Sequence, residues 1–154
     1  MPRPHHINAE RAVYFVTAVT KDRFPIFEDH KNAQITMNAI NFGRKENWYF
    51  LFAYVIMPDH FHLLMTPRKR KISEIMKGIK GYTARIINER RQWKGSLWEE
   101  GYYDYLIGDI SERMDSSAHQ KARYIEENPV RKGFVDKRED WLYSSARLRE
   151  NLDW

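Results

Sequence analysis

Two histidines separated by one residue, His60 and His62, are the side chains of this sequence best suited to hold a metal ion. They lie in an apolar run over residues 57–65, which is typical of a buried β-strand. Residues two apart on a strand project from the same face, so both imidazoles would point one way while Phe61 points the other. Their ring nitrogens could then chelate one divalent cation. The alternative is a hydrogen-bonded pair of core histidines, and the spacing alone does not decide between the two.

A tyrosine and an asparagine four residues apart, Tyr124 and Asn128, form a second candidate site. Pro129 disfavours helical backbone at the residue before it, so a helix is predicted to end at Asn128. On that helix the two side chains share a face with Lys121, because residues three or four apart are neighbours. The apolar stripe that would dock the helix consists of Met114, Ala118, Ala122 and Ile125. Tyr124 lies off this stripe, and is either a reactive phenol or a surface tyrosine followed by a helix-capping asparagine.

A surplus of basic residues gives the chain a net charge of +5, which favours an anionic partner such as a phosphate backbone. The basic residues are concentrated in two runs, and aromatic residues follow the second. Single-stranded nucleic acid uses this combination of charge and stacking surface. Solvated loops or helix ends are the alternative for each run. The candidate DNA-contacting residues are Arg68, Lys69, Arg70 and Lys71 in the first run, Arg90, Arg91, Trp93 and Lys94 in the second, and Lys121 beside the tyrosine.

The composition is that of one globular domain. At 154 residues, 42% of them hydrophobic, the chain can bury one core but not two. We expect a single domain over 1–154, with a core over about 10–130 and a C-terminal extension over 131–154. The absence of cysteine excludes disulfides and thiolate metal sites and suits a cytoplasmic location. No signal peptide or membrane interaction is expected, because the longest apolar run, residues 48–57, is too short to span a bilayer.

The strands and helices that position these residues are predicted from the hydrophobic periods typical of each, about two residues for a strand and about 3.6 for a helix. Strands are predicted near residues 12–20, 48–57, 61–66 and 102–107, and helices over about 29–41 and 73–91, before the helix that carries Tyr124. Gly43 is predicted to end the first helix, and Gly108, Asp109 and Ser111 are candidate N-caps of the last. Tyr82 falls on the apolar stripe of the second helix and is predicted to be core. The order predicts an α+β fold, a ferredoxin-like split βαβ sandwich with a central antiparallel sheet, helices on one face and an additional C-terminal helix.

Taken in order, these motifs resemble the HUH-type single-strand DNA transposases of small insertion sequences, and most closely the REP-associated tyrosine transposases. The histidine pair and the sequence Tyr-Ile-Glu-Glu-Asn-Pro-Val carry the resemblance. The resemblance implies that His60 and His62 are metal ligands, that Tyr124 is the nucleophile, and that Asn128 is a further ligand. Supporting segments are residues 14–20, 95–104 and 141–145.

The same resemblance implies a metal-dependent transposase that nicks and rejoins DNA through a 5′-phosphotyrosine. Its cofactor would be Mg²⁺ or Mn²⁺ and its partner single-stranded or hairpin DNA, and a homodimer is left open. Asp59 replaces the Asn or Glu of many relatives, and Glu127 could compete with Asn128 for the metal. Two other functions fit these residues: a hairpin- or sequence-specific DNA-binding protein without cleavage, and a histidine-based metallohydrolase that activates water.

Overall fold

The structure, a computed structural model, describes residues 11–110 and 117–154. The N-cap candidate Ser111 and the stripe residue Met114 lie outside these residues, whereas the N-cap candidates Gly108 and Asp109 lie at the end of the strand Tyr103–Asp109. No described helix combines the length and apolar character needed to cross a bilayer. Short 3-10 turns occupy Lys21–Arg23, Ile26–Glu28, Arg138–Asp140 and Arg149–Asn151. The strands are β1 (Ala12–Val19), β2 (Tyr49–Met57), β3 (His60–Pro67) and β4 (Tyr103–Asp109), and the helices are α1 (His30–Lys45), α2 (Ile72–Arg91), α3 (Ser117–Glu126) and α4 (Asn128–Arg131).

The four strands form one antiparallel sheet in the order β2-β3-β1-β4. A tight turn at Pro58 and Asp59 joins β2 to β3. α1 connects β1 to β2, and α2 connects β3 to β4, so each pair of connected strands is separated in the sheet by another strand. This is the split βαβ arrangement. The predicted α+β fold with a central antiparallel sheet is therefore confirmed.

Side chains that alternate along each strand divide the core into two layers. On one face, Val16 and Phe61 belong to the layer buried under α1 and α2. On the opposite face, α3 packs through the predicted stripe residues Ala118, Ala122 and Ile125. The tyrosine helix and the two connecting helices thus lie on different sides of the sheet.

Helix α1 extends beyond the residue predicted to end it. It begins after Asp29, whose side chain accepts a 2.9 Å hydrogen bond from the Lys31 amide, and it continues through Gly43 to Lys45. A Cβ atom on the buried Gly43 would lie 2.7 Å from the hydroxyl oxygen of Tyr49. The prediction that Gly43 ends the helix is therefore wrong. The glycine allows the Tyr49 ring to approach the helix and does not form a left-handed cap.

Tyr82 on α2 is 47% exposed, so the prediction that it belongs to the core is wrong. Its neighbour Thr83 is buried instead. The Thr83 hydroxyl donates to the Ile79 carbonyl at 2.7 Å and accepts a 3.0 Å hydrogen bond from the Trp98 indole. A satisfied hydroxyl can occupy a core position. Because a helix turns by about 100° per residue, Tyr82 is then rotated towards solvent.

The segment that follows α4 lies along the outer edge of β2. Main-chain hydrogen bonds connect it to that strand through Tyr143, Ser145 and Asp153. The Asp153 carboxylate also accepts two hydrogen bonds from Arg44, at 2.9 and 3.0 Å. Sheet edges carry unpaired backbone groups, and this segment satisfies those of β2. Within the described residues, β4 is the edge that no further strand covers.

Candidate active site

The histidine pair lies at the start of β3, on the sheet face that α3 packs against. In the sheet register His62 is opposite Thr17 and His60 is opposite Val19. Thr17 Oγ1 lies 2.8 Å from His62 Nδ1, and Asp59 Oδ1 lies 2.6 Å from His60 Nδ1. Because both Nδ1 atoms are engaged, both Nε2 atoms are available to a metal ion. The two ring centroids are 4.8 Å apart, close enough for both rings to bind one cation.

Burial and neighbouring cations favour the uncharged form of both imidazoles. Burial is the main cause that lowers the pKa of His62 to about 3, and the nearby cations Lys121 and Arg131 lower it further. Burial also lowers the pKa of His60, although the Asp59 carboxylate opposes this shift. The neutral imidazole is the form that binds metals. The same cations give the site a positive field that suits an anionic phosphate.

Tyr124 projects from α3 between two cationic side chains and is 48% exposed. The centroid of its ring is 4.3 Å from Lys121 Nζ and 3.9 Å from the guanidinium carbon of Arg131. Arg131 also donates a 2.8 Å hydrogen bond to the Tyr124 carbonyl. Lys121 Nζ is 4.5 Å from the ring of Phe15, which packs 4.8 Å from the ring of His62. A continuous set of contacts therefore joins the tyrosine to the histidine pair.

Asn128 does not lie on the tyrosine helix. α3 ends at Glu126, and Asn128 opens α4 with Pro129 in its first turn, where proline is tolerated. The prediction that one helix continues to Asn128 is therefore wrong. Asn128 is 6% exposed, and its side chain makes no hydrogen bond to a described residue. The oxygen of a buried side-chain amide that makes no hydrogen bond to the described residues is available to bind a metal ion.

The two glutamates before Asn128 are occupied elsewhere. Glu126 is buried and accepts hydrogen bonds from Ser145 and Arg149, at 2.7 and 2.9 Å. The Glu127 carboxylate lies 3.8 Å from Arg138. Across residues 11–110 and 117–154, no three side chains among His, Cys, Asp and Glu converge on a common point. Within that part of the chain, a third protein ligand would therefore come from an amide, a hydroxyl or the backbone.

The first basic run, residues 68–71, is remote from the histidines. It follows β3 at the end opposite His60, roughly 25 Å away for eight residues at about 3.3 Å each. Two of its members are stacked on aromatic rings: Arg68 lies 4.2 Å from the Phe50 centroid, and Arg70 lies 4.4 Å from that of Trp48. The structure does not bring this run into the histidine site.

The second basic run, residues 90–94, lies at the histidine end of the sheet. Arg90 pairs with Asp29 at 3.1 Å, and Arg91 lies 5.2 Å from the ring of the exposed Trp93. Lys94 is exposed in the loop that follows α2. The backbone after this run is bridged to the end of β1, which in turn hydrogen-bonds to the turn before the histidines. The backbone at the end of β1 therefore lies between the segment after this run and the turn before the histidines.

The sequence-based predictions omitted three residues of the site: Thr17, Arg23 and Arg131. The Thr17 hydroxyl orients His62, and Arg23 forms a 3.3 Å ion pair with the Asp59 carboxylate. Arg131 stacks on the tyrosine. Arg131 could have been found, because it directly follows the Asn-Pro-Val motif. The other two reach the histidines only through the pairing of β1 with β3, which local patterns do not specify.

Comparisons with known proteins match this arrangement. The model of the family described as Transposase IS200 like matches residues 8–128. A Haemophilus influenzae protein named as a REP-associated tyrosine transposase is 29% identical over 145 residues, which cover 86% of this chain and 78% of the relative. The solved structure of a REP-associated tyrosine transposase bound to a REP hairpin has a TM-score of 0.69 at 20% identity, covering 100% of this chain and 89% of that chain. A protein of Deinococcus radiodurans described as a transposase has a TM-score of 0.52 at 22% identity, covering 82% and 97%.

Proposed function

The chain belongs to the IS200-like transposase family, and from this premise we propose that it is a metal-dependent single-strand DNA transposase. It would nick and rejoin DNA through a 5′-phosphotyrosine at Tyr124. The observation that carries the proposal is the set of contacts linking two groups on one sheet face. These groups are a histidine pair with free Nε2 atoms and an exposed tyrosine flanked by two cations. Membership of the family supports a transposase activity, and the geometry of these groups suits phosphoryl transfer.

Three residues would hold the divalent cation, Mg²⁺ or Mn²⁺: His60, His62 and Asn128. The donors fit, because both imidazoles favour the neutral form and the Asn128 amide lacks a partner among the described residues. Imidazole nitrogen favours Mn²⁺ over Mg²⁺, whereas an amide oxygen suits either. When bound, the cation would offset the charge that develops on the scissile phosphate and orient it for in-line attack.

The proposed reaction is a transesterification. The Tyr124 hydroxyl oxygen forms a bond to phosphorus, and the bond from phosphorus to the 3′-oxygen breaks. The phenol loses a proton to solvent and the departing 3′-oxygen gains one, so the number of phosphate ester bonds and protons is unchanged. Because the ester is retained on the protein, attack by another 3′-hydroxyl can rejoin DNA without an external energy source.

Arg131 is proposed to hold the Tyr124 ring and to stabilise negative charge near its oxygen. A cation over an aromatic face contributes about 0.5–2 kcal/mol, so Arg131→Met should slow formation of the covalent adduct about two- to thirty-fold. Arg123 is the matched control, since it precedes Tyr124 on α3, is exposed, and makes no side-chain hydrogen bond or ion pair with a described residue. Equal slowing by Arg123→Met would mean that net charge, and not this contact, affects the rate.

Hairpin DNA is the proposed partner, and the relative bound to a REP hairpin supports it. The basic runs 68–71 and 90–94, together with Lys121, are proposed to contact its phosphates and bases. The roughly 25 Å between the first run and His60 corresponds to about seven base pairs at 3.4 Å each, so a short stem could reach both. Each copy of the chain carries the histidines and packs its own tyrosine helix on the same sheet, so one copy is proposed to suffice.

The experiment that tests this function is incubation with Mn²⁺ and end-labelled hairpin DNA that carries single-stranded flanks. A denaturing gel would detect a covalent protein-DNA adduct, and mass spectrometry would locate it. We expect the adduct on Tyr124 and its loss in Tyr124→Phe. Tyr82→Phe is the matched control, because Tyr82 is similarly exposed, at 47%, on a helix of the other face.

Each other outcome identifies a different nucleophile or a different function. An adduct that survives Tyr124→Phe would show that another residue is the nucleophile. Cleavage that never leaves protein on the DNA, and that persists in Tyr124→Phe, would indicate a metallohydrolase that uses water. Tight hairpin binding with bound Mn²⁺ and no cleavage would indicate a hairpin-specific DNA-binding protein.

A further inference from the structure

Two tyrosines of β4, Tyr103 and Tyr105, project from the same sheet face as the histidine pair. In the sheet register Tyr103 is opposite Thr17, whose neighbour on its other side is His62, and Tyr105 is opposite Phe15. Neighbouring strands are about 4.8 Å apart, so the backbone of Tyr103 is about 10 Å from that of His62. The two tyrosines therefore stand beside the candidate active site.

Both tyrosines are largely open to solvent in the part of the protein that the structure describes. Tyr103 is 62% exposed and Tyr105 is 57% exposed. α3 covers this face of β4 only as far as Ile107, which packs partly buried against the α3 layer. Neither phenol hydroxyl forms a hydrogen bond with a residue in 11–110 or 117–154. These side chains thus contribute little to the core, although they share its face of the sheet.

The spacing of these two positions along the strand suits a nucleobase held between their side chains. Side chains two apart on an antiparallel strand are about 6.8 Å apart, which is twice the 3.4 Å spacing of stacked bases. We propose that Tyr103 and Tyr105 form a clamp that holds one unpaired base of the substrate strand beside the scissile phosphate. This inference rests on the proposed function and specifies how the single strand enters the site.

The surroundings of this tyrosine clamp favour an unpaired nucleotide over a duplex. A base in a duplex already stacks on both faces, whereas an unpaired base offers them to aromatic side chains whatever its identity. Lys121 Nζ lies 4.5 Å from the ring of Phe15, the strand neighbour of Tyr105, so a cation is close to the phosphate that would accompany the base. The distance of about 10 Å to His62 places that base within about three nucleotides of the scissile phosphate.

The test measures binding in the Tyr124→Phe background, so that cleavage does not consume the DNA. Fluorescence anisotropy at fixed salt would give the Kd for a hairpin with single-stranded flanks, and for versions with one abasic nucleotide at each of three positions on either side of the cleavage site. The double variant Tyr103→Leu, Tyr105→Leu keeps apolar bulk on the strand but removes the rings. The double variant to Phe keeps them, and Tyr82→Leu removes an exposed ring from the opposite side of the sheet.

We expect one abasic position to raise the Kd about five-fold or more, since base-aromatic stacking has this effect per base. The double Leu variant should bind intact DNA weaker by a similar factor and no longer distinguish that abasic position, whereas the Phe and Tyr82→Leu proteins should behave as the parent does. If the double Leu variant binds as tightly as the parent, or still detects the abasic nucleotide, the clamp is refuted while the transposase proposal stands. If the parent binds no hairpin or single strand at all, the proposed function itself fails.

Discussion

A buried carboxylate two residues after Tyr124, that of Glu126, fastens the C-terminal segment to the tyrosine helix. Glu126 is 3% exposed and accepts a 2.7 Å hydrogen bond from the buried Ser145 hydroxyl. It also accepts a 2.9 Å hydrogen bond from Arg149, and Arg138 lies 3.5 Å away. We expect Glu126→Ala to destabilise the protein, because three polar groups lose their shared acceptor.

The expected loss of stability in Glu126→Ala depends on how exposed each hydrogen-bond partner of Glu126 is. A hydrogen bond from a buried hydroxyl to a charged acceptor contributes about 1.5–3 kcal/mol. The Arg149 side chain is 52% exposed and can turn to water, so its loss adds less than about 1 kcal/mol. We therefore expect Glu126→Ala to lower the free energy of unfolding by about 2–4 kcal/mol. Glu126→Gln keeps an acceptor for Ser145 and should lose about half as much.

Urea denaturation followed by tryptophan fluorescence measures this loss. With an m-value of about 2 kcal/mol per molar, the midpoint should fall by about 1–2 M in Glu126→Ala. Glu127→Ala is the matched control, because its side chain is 43% exposed and its ion pair to Arg138 is long, at 3.8 Å. That variant should stay within about 0.5 kcal/mol of the parent. Equal midpoints for the two alanine variants would refute the assignment of Glu126 as the anchor.

Three further predictions concern packing, metal binding and pH. Gly43→Ala should lower the free energy of unfolding by about 1–3 kcal/mol, since the new Cβ would lie 2.7 Å from the Tyr49 hydroxyl oxygen. Gly81→Ala is the control and should raise the free energy of unfolding by about 0.5–1 kcal/mol, because no described atom lies close to the new Cβ. Urea midpoints that move in the same direction for the two variants would contradict this. Thr17→Val removes the hydrogen-bond partner of His62 and should weaken Mn²⁺ binding by calorimetry about 10–100-fold; an unchanged affinity would refute that role. In EDTA, the free energy of unfolding should fall as the pH drops below 6.5, because burial lowers the folded pKa of His62 to about 3 while the unfolded chain takes up the proton. His62 should account for about 2 kcal/mol of this loss at pH 5. Burial also lowers the pKa of His60, so His62→Gln should reduce the loss by about that amount without abolishing it, and an unchanged loss would refute the role of His62.

The order of elements could be predicted from sequence because each depends on a local period. The orientation of the histidine pair is equally local: residues two apart on a strand share a face whatever strand lies beside them. Two of the errors, at Gly43 and Tyr82, arose where a partner distant in sequence decides the outcome. Glycine is typical of a helix end, but Gly43 lies inside α1 because the Tyr49 ring packs against it. Thr83 takes the core position predicted for Tyr82 because the Trp98 indole donates a hydrogen bond to its hydroxyl.

The exposed tyrosines of β4 also show what a local sequence pattern cannot predict, here on the sheet face of the candidate active site. The alternation of Tyr103, Tyr105 and Ile107 with other residues is the pattern of a half-buried strand, and it places all three on one face. Burial of that face also depends on how far the covering helix extends, and α3 reaches Ile107 but leaves both tyrosines open. A local pattern can therefore identify which side chains share a face, but not whether protein covers them. At an edge strand beside a candidate active site, the face that the described residues leave open is the surface that a substrate strand can reach.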